Sequence, residues 1–450
     1  MANTKLNRTA GSTGNRKTWT WSGWVKRAAV PGTADSKGGL FATYTDTNNR
    51  LDFGVDSNHR FFFKEKESSS TVIDFTSTRL FRDPSAFYHF VIAVDTTDST
   101  AADRVKVYVN GERITSWLDS TAPSQNRDTL MNVSGRTYII GSTDGSSNYW
   151  NGVMSHVHFC DGTALASTVF GETDSTTGEW TINTSPSFTL GTNGFTVLKD
   201  GNTITDQSSN SNNFSLGGGT LTKTEDCPSN VFATLSAVYK NFNQPTFTQG
   251  NTTTSSASSG YFNAFSSIAV STGKYYAEIK RGSSESQIGI SSLNDAENLF
   301  PGTDYYIGET SKSLGISSGD GKYRIGTTGT TYGSSYTTGD IIGIALDLTN
   351  KKLYASKNGA WSNGSGTWDS TTFNASTGAI DISAVIPSGE YAYIGFSIGD
   401  PGTGFNANFG NGYFGTTAVS SAGTNASGIG IFEYDVPTGY TALSTKGLNL

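Results

Sequence analysis

The sequence predicts an all-β protein made of two antiparallel β-sandwich, jelly-roll-like domains in tandem. The first observation is alternation: in residues 339–361 (GDIIGIALDLTNKKLYASKNGAW), Ile342, Ile344, Leu346 and Leu348 alternate with smaller or polar residues, the period of a half-buried strand. The second is turn chemistry. The run crosses Thr349-Asn350-Lys351, and a second strand carrying Leu353 and Ala355 ends at Asn358-Gly359. Asn-Gly is the strongest short hairpin signal, because both residues tolerate positive φ and a type I′ turn matches strand twist. The third is repetition of this grammar in residues 87–117. There Phe90, Ile92 and Val94 alternate, Asp95 closes the run, and Val105, Val107 and Val109 lead to Asn110-Gly111. One copy in each half implies two sandwiches.

Other elements follow in order. Residues 18–26 (TWTWSGWVK) place Trp19, Trp21, Gly23 and Val25 on one strand face and Trp24 on the other, as in a strand covered on both sides. Short strands are expected at 39–45, 51–55, 60–64 and 72–75. Residues 136–141 and 152–159 are expected to complete a sheet, with Val153, Ser155, Val157 and Phe159 on one face and Met154, His156 and His158 on the other. A helical turn near 164–172 and a strand at 194–199 close the first domain. The other domain is read as strands at 260–265, 273–280, 287–291, 391–397 and 405–409. Its extended tail, 438–448, is expected to pair near the domain's start. The stretch around DQSSNSNNFSLGGG is linker-like. The divisions are 1–215, a linker at 216–230, and 231–450.

Composition narrows the function. The 450 residues carry a formal charge of −7 with 15% charged side chains; with a pI near 5.2 they lack the basic face a nucleic-acid partner requires. Lys5, Arg8, Arg16, Lys17, Lys26 and Arg27 are read as a solvated basic edge, the alternative being a dock for an acidic neighbour. Cys160 and Cys227 have neither disulfide-framework nor metal-ligand spacing. The N-terminus lacks a signal peptide's apolar core and no run is long enough to span a bilayer. Synthesis in a cytoplasm and no membrane insertion are the expectations. The Asn-x-Ser/Thr triplets at Asn132 and Asn251 are read as chance.

Each candidate site has an ordinary packing alternative. Tyr149, Trp150, Tyr305, Tyr306 and Trp361 lie in or beside predicted loops, with Asp144 in the loop leading to Tyr149. An aromatic face beside Asn, Asp or Ser suits a sugar ring, whose C–H face stacks while its hydroxyls hydrogen-bond; the alternative is that these rings cover sandwich ends or a subunit interface. Trp150 and Trp361 stay open between the two readings, and for Tyr149, Tyr305, Tyr306 and Trp368 packing is the first reading. Asp46, Asn48 and Asp95 are the candidates for a weakly bound calcium, against the ordinary role of Asp and Asn as turn acceptors. Asp347 ends its strand as Asp95 does. His156-x-His158 could present two imidazoles to a metal, but no third ligand is evident. Glycosidase chemistry needs two carboxylates about 5–10 Å apart on one face. No Glu-x-Asp-x-Glu occurs, and Glu65 and Glu67, flanked by Lys64 and Lys66, are read as an exposed charged strand. No histidine follows His158, which excludes a histidine-based triad from the second domain. The glycine clusters at 217–219 and 399–404 do not lie between strand and helix, so they are not phosphate cradles.

The segments WTWSGWVKR, FYHFVIAVD, VKVYVNG, YIIG and NGVMSHVHFCDG make the first part resemble the concanavalin A-like (laminin-G type) jelly roll. Through GKYYAEIK, IGI, GDIIGIALDL, LYASKNGAW and PTGYTALST, the C-terminal part resembles a SPRY domain. The tandem pair, joined by a segment like EDCPSN at 225–230, is similar to virion proteins of tailed bacteriophages. The resemblance implies a non-enzymatic virion surface protein on a tail or head appendage. It would be homo-oligomeric, bound to other virion proteins, and recognise a host-surface glycan. The alternative is decoration or assembly by contact with neighbouring virion proteins without sugar recognition.

Overall fold

The computed structural model describes residues 3–28, 37–199, 203–237, 245–256, 260–298, 304–399 and 401–449. The chain divides into two compact units, Met1–Lys223 and Thr224–Leu450, and antiparallel sheets dominate both.

In the first unit an eight-stranded sheet runs in the order β10 (Trp117–Thr121), β6 (Ser70–Leu80), β5 (Arg60–Glu67), β4 (Asn49–Val55), β3 (Gly38–Asp46), β11 (Thr137–Ile140), β1 (Lys5–Thr9) and β16 (Ser215–Gly218). A six-stranded sheet runs β15 (Phe195–Val197), β12 (Gly152–Asp161), β2 (Thr18–Arg27), β7 (Tyr88–Asp95), β8 (Val105–Val109) and β9 (Glu112–Arg113). The alternating residues meet between them: Phe41, Phe53 and Phe63 of one sheet share a core with Trp19, Trp21 and Phe159 of the other. Trp21 meets Phe53 edge-on at 5.1 Å. Each such ring, fully withdrawn from water, contributes roughly 2–3 kcal/mol. The outer face of the six-stranded sheet is also covered. Trp24 stacks on His89 at 4.6 Å, and the segment bearing β13 (Gly171–Thr173) and β14 (Trp180–Ile182) lays Trp180 against the same histidine. That is why β2 carries tryptophan on both faces.

The Asn110-Gly111 pair joins β8 to β9 with φ of 49° and 81°, as a type I′ turn requires. Four expectations are corrected. Residues 136–141 and 152–159 do not share a sheet: β11 lies in the larger and β12 in the smaller. The expected face assignment on β12 fails because a bulge between Ser155 and His158 inserts a residue, with His156 at φ 50°. Met154 therefore packs on the same core as Val157 and Phe159. Residues 216–218, expected to be linker, pair with β1 as part of β16. The basic edge is not uniformly solvated, since Lys26 and Arg27 are buried and Arg27 Nη1 donates to Phe81 O at 2.8 Å.

In the second unit a sheet runs β17 (Thr246–Thr248), β18 (Thr253–Ser256), β31 (Gly402–Asn408), β20 (Lys274–Lys280), β25 (Ile341–Asp347), β26 (Lys352–Lys357), β27 (Ala360–Ser362) and β28 (Trp368–Ser370). β29 (Ile380–Asp381) joins it on β26. The facing sheet runs β19 (Phe262–Phe265), β30 (Ala392–Ile398), β21 (Ser286–Ser292), β22 (Ser313–Ser317), β23 (Tyr323–Ile325) and β24 (Thr328–Thr330). Phe396 and Phe405 stack at 5.6 Å across the two. Asn358-Gly359 again makes a type I′ hairpin, φ 49° and 81°, between β26 and β27. A small pair, β32 (Tyr413–Phe414) and β33 (Thr417–Ala418), precedes the tail. There β34 (Thr441–Ala442) runs parallel to β20, and Ala233 N donates to Leu443 O at 2.9 Å, so the tail does pair near the unit's start.

Candidate functional site

The loop between β11 and β12 is built by its own side chains. Asp144 Oδ1 accepts the backbone N–H of Ser146 at 2.7 Å and of Ser147 at 2.6 Å, while Ser147 Oγ donates to Oδ2 at 2.5 Å. Burial pushes this carboxyl up, but the Ser147 and Ser146 hydrogen bonds outweigh it and hold the pKa below the usual range. Asn148 takes φ 51°, and Tyr149, half-buried, points its hydroxyl to Gly145 O at 3.4 Å. Tyr149 thus keeps part of its ring in water on a loop closed by Asp144.

Trp150 and Trp361 do not offer ring faces to a ligand. Trp150 is 9% exposed and belongs to the first unit's core; a Cβ at Gly38 would lie 3.0 Å from its Cε3. Trp361 is 6% exposed and lies in β27, edge-on to Phe373 at 4.9 Å. Both are corrected from candidate ligand residues to packing. Apolar rings beside short loops fill sandwich ends as readily as they bind sugars.

The calcium candidates close turns. Asp46 accepts Asn48 N at 2.7 Å and Asn49 Nδ2 at 3.2 Å, and these bonds, the Asn48 backbone first, lower its pKa. Asn48 itself accepts Ser69 N through its carbonyl at 3.3 Å. Asp95 accepts Thr97 N at 2.9 Å and Thr97 Oγ1 at 2.6 Å. Among the described residues no group of three His, Cys, Asp or Glu is placed to hold a metal ion. His158 Nδ1 meets Thr196 Oγ1 at 3.0 Å. Asn132 and Asn251 are buried, out of reach of a glycosylating enzyme in the folded chain.

Ser22 Oγ lies 2.8 Å from His89 Nε2, a spacing that invites comparison with a nucleophile and its base. The other ring nitrogen decides the matter. Trp180 Nε1 donates to His89 Nδ1 at 3.0 Å, and indole N–H is a donor only. Nδ1 is therefore bare and Nε2 carries the proton, the reverse of what a serine base needs. Ser22 and His89 are fully buried; the pair is part of the packed outer face.

Carboxylates are similarly committed. On the outer face of the larger sheet the register row Asp52–Lys64–Asp74 pairs Asp52 with Lys37 at 2.8 Å and Arg50 at 2.9 Å, and Asp74 with Lys64 at 3.0 Å. Glu65 is not exposed as expected. The alternation that puts Lys64 and Lys66 outside turns Glu65 inward, where it is fully buried. It accepts Leu130 N at 3.1 Å and faces Arg127 Nη2 at 3.4 Å, and burial raises its pKa to about 7.

In the second unit Tyr305 is 39% exposed and Tyr306, half-buried, packs on Tyr261 at 5.0 Å. Asp304 Oδ1 accepts Tyr261 N at 2.5 Å, and Asn263 Nδ2 donates to Tyr305 O at 2.8 Å. Sequence reasoning misses Tyr261 and Asn263, which lie about 40 residues before Tyr305 and Tyr306 and share no local pattern with them, and Asp304, a neighbour of Tyr305 whose role shows only in its bond to Tyr261 N.

Against known proteins, residues 3–170 match the Concanavalin A-like lectin/glucanases superfamily. That match and the two facing sheets make the first unit similar to a concanavalin A-like sandwich, a superfamily that includes both lectins and glycosidases. None of the curated proteins compared matches the chain. Similar solved structures include a heptameric SAP-like pentraxin from Limulus polyphemus, at 15% identity over 37% of this chain and 72% of that one, TM-score 0.27. The SPRY domain of human HERC1 is 16% identical over 38% of this chain and 94% of its own, TM-score 0.28. Domain 4 of AbnA, a GH43 extracellular arabinanase from Geobacillus stearothermophilus in complex with arabinotriose, is 16% identical over 34% of this chain and 65% of its own, TM-score 0.25.

Proposed function

We propose that this chain is a non-enzymatic recognition protein that binds a host-surface glycan from the exterior of a tailed-phage virion, as a homo-oligomer seated on other virion proteins. The observation that carries the glycan reading is the match of residues 3–170 to a lectin and glucanase superfamily. Within that unit the loop at 144–149 offers a braced, partly open ring beside Ser and Asn hydrogen-bonding groups. The pairing of Asp52 and Asp74 with cations supports binding over hydrolysis. The virion assignment rests on the resemblance of the tandem pair to tailed-phage proteins. Repetition of weak sites in an oligomer would raise avidity by orders of magnitude without new contacts.

The test is adsorption of the oligomeric chain to host cells and to a glycan array, with Tyr149→Ala beside it. Saturable binding that the variant loses by about tenfold is the expected result, the worth of one stacked ring. An array on which the oligomer binds nothing removes the glycan reading and leaves decoration by protein contacts as the better account.

A further inference from the structure

The second unit carries a firmly anchored surface segment. Four consecutive residues are pinned: Asp304 by its side chain to Tyr261 N at 2.5 Å, Tyr305 through its carbonyl to Asn263 Nδ2 at 2.8 Å, Tyr306 through its N–H to Glu309 Oε2 at 3.1 Å, and Ile307 through its N–H to Ser397 Oγ at 2.6 Å. Asn263 and Ser397 are buried and hydrogen-bonded to each other, so the segment is anchored on a buried, hydrogen-bonded pair. What this framework holds up is open. Tyr305 has an exposed ring, and no hydrogen bond to its hydroxyl or ring contact to its side chain is found among the described residues. The next residue, Tyr306, forms a tilted pair with Tyr261.

We propose that Tyr305, Tyr306 and Tyr261, with the Asp304 carboxylate, form a second carbohydrate subsite that takes the C–H face of one hexopyranose ring. The inference rests on the glycan reading above and makes the chain bivalent, one subsite in each unit. Preorganised tyrosine is suited to the task, since its contact area costs little ordering entropy. Asp304 Oδ2 remains beside the bonded Oδ1 to accept a sugar hydroxyl. Size favours a sugar over a folded partner. A stable protein interface covers about 800 Å² on each side. Among the described residues, the other exposed large apolar side chains of this unit are Tyr391, Ile431 and Leu448, none of them in the tyrosine cluster.

The experiment uses the full chain labelled with 3-fluorotyrosine and followed by fluorine NMR during titration with glucose, galactose and N-acetylglucosamine at millimolar concentrations. Tyr305→Phe and Tyr149→Phe assign the two resonances. The expected result is a saturable shift of Tyr305 with at least one sugar, weakened about tenfold in Tyr306→Ala and in Asp304→Ala, with unchanged melting. A shift confined to Tyr149 overturns this subsite and leaves the first unit's role standing. Silence at both residues overturns both. Protection of Tyr305 by a protein partner, with no sugar-induced shift, also overturns it.

Discussion

Glu278 Oε1 accepts the backbone N–H of Tyr434 at 2.9 Å, which fastens the C-terminal segment onto the central strand β20. The same carboxylate accepts Glu433 N at 2.9 Å, Tyr276 OH at 3.2 Å and Asn408 Nδ2 at 3.3 Å. All four donors are neutral, so nothing repays the loss of hydration with a full opposite charge, and burial raises the pKa to about 7. Glu278→Ala strands these donors in the interior. It is expected to cost about 3 kcal/mol or more, read as a lower urea midpoint.

The same group sets a pH dependence. Its folded pKa of about 7 lies above the ordinary 4.5, so between those values the folded unit holds a proton that the unfolded chain has released. Its contribution is fully present below 4.5 and is lost as pH rises through 7, about 3 kcal/mol in all. Hydrogen-exchange protection of peptides from β20, taken relative to the base-catalysed intrinsic rate at each pH, is expected to fall across this window in the parent chain and to stay flat in Glu278→Gln.

The first unit titrates the other way. Burial lowers both His89 and His158 to about 3, below the ordinary 6.5. Their contribution is complete above 6.5 and drains away as pH falls toward 3. Glu65, raised to about 7, opposes them between 4.5 and 6.5, leaving a net uptake of about one proton on unfolding from these three groups. Stability is expected to fall by about 1.4 kcal/mol per pH unit there and about twice as fast below 4.5. Exchange protection of β2 and β7 peptides, relative to the intrinsic rate at each pH, should fall with that steepening; a stability that rises on acidification would contradict the buried neutral imidazoles.

The two Asn-Gly turns make a backbone test. Gly111 and Gly359 both sit at φ 81°, where a side chain is strained by roughly 1–2 kcal/mol. Each also supports a ring: an added Cβ would lie 2.5 Å from Trp180 Cε3 at Gly111 and 2.6 Å from Tyr434 Cδ1 at Gly359. Alanine at either position is therefore expected to cost more than the turn alone, about 2–3 kcal/mol. Thermal melting of the single variants checks this.

These turns are legible in the sequence, as are the strands they join, because alternation and turn residues are local signals. The pairing of distant segments is not. Whether 136–141 and 152–159 share a sheet depends on partners on β3 and β2 far along the chain, and the β12 bulge leaves no mark in the residues around His156. Glu65 carries a readable clue, since alternation puts it opposite the two lysines. Its partner Arg127, however, is 62 residues away. The site is the least legible part: solvent exposure separates Tyr305 from Trp361, and nothing in the neighbouring residues encodes it.

Tyr149 and Trp150 test that last distinction with adjacent side chains. Trp150 belongs to the core and is 9% exposed, so Trp150→Ala removes a large buried ring and is expected to cost about 3–5 kcal/mol. Tyr149 is half-buried on the loop closed by Asp144, and its removal is expected to move stability by no more than about 1 kcal/mol. Ligand binding should divide the pair the opposite way: Tyr149→Ala loses affinity at unchanged melting temperature, whereas Trp150→Ala loses affinity only in proportion to the fraction unfolded. Equal affinity for Tyr149→Ala and the parent chain, on any glycan the parent retains, would move recognition off this loop.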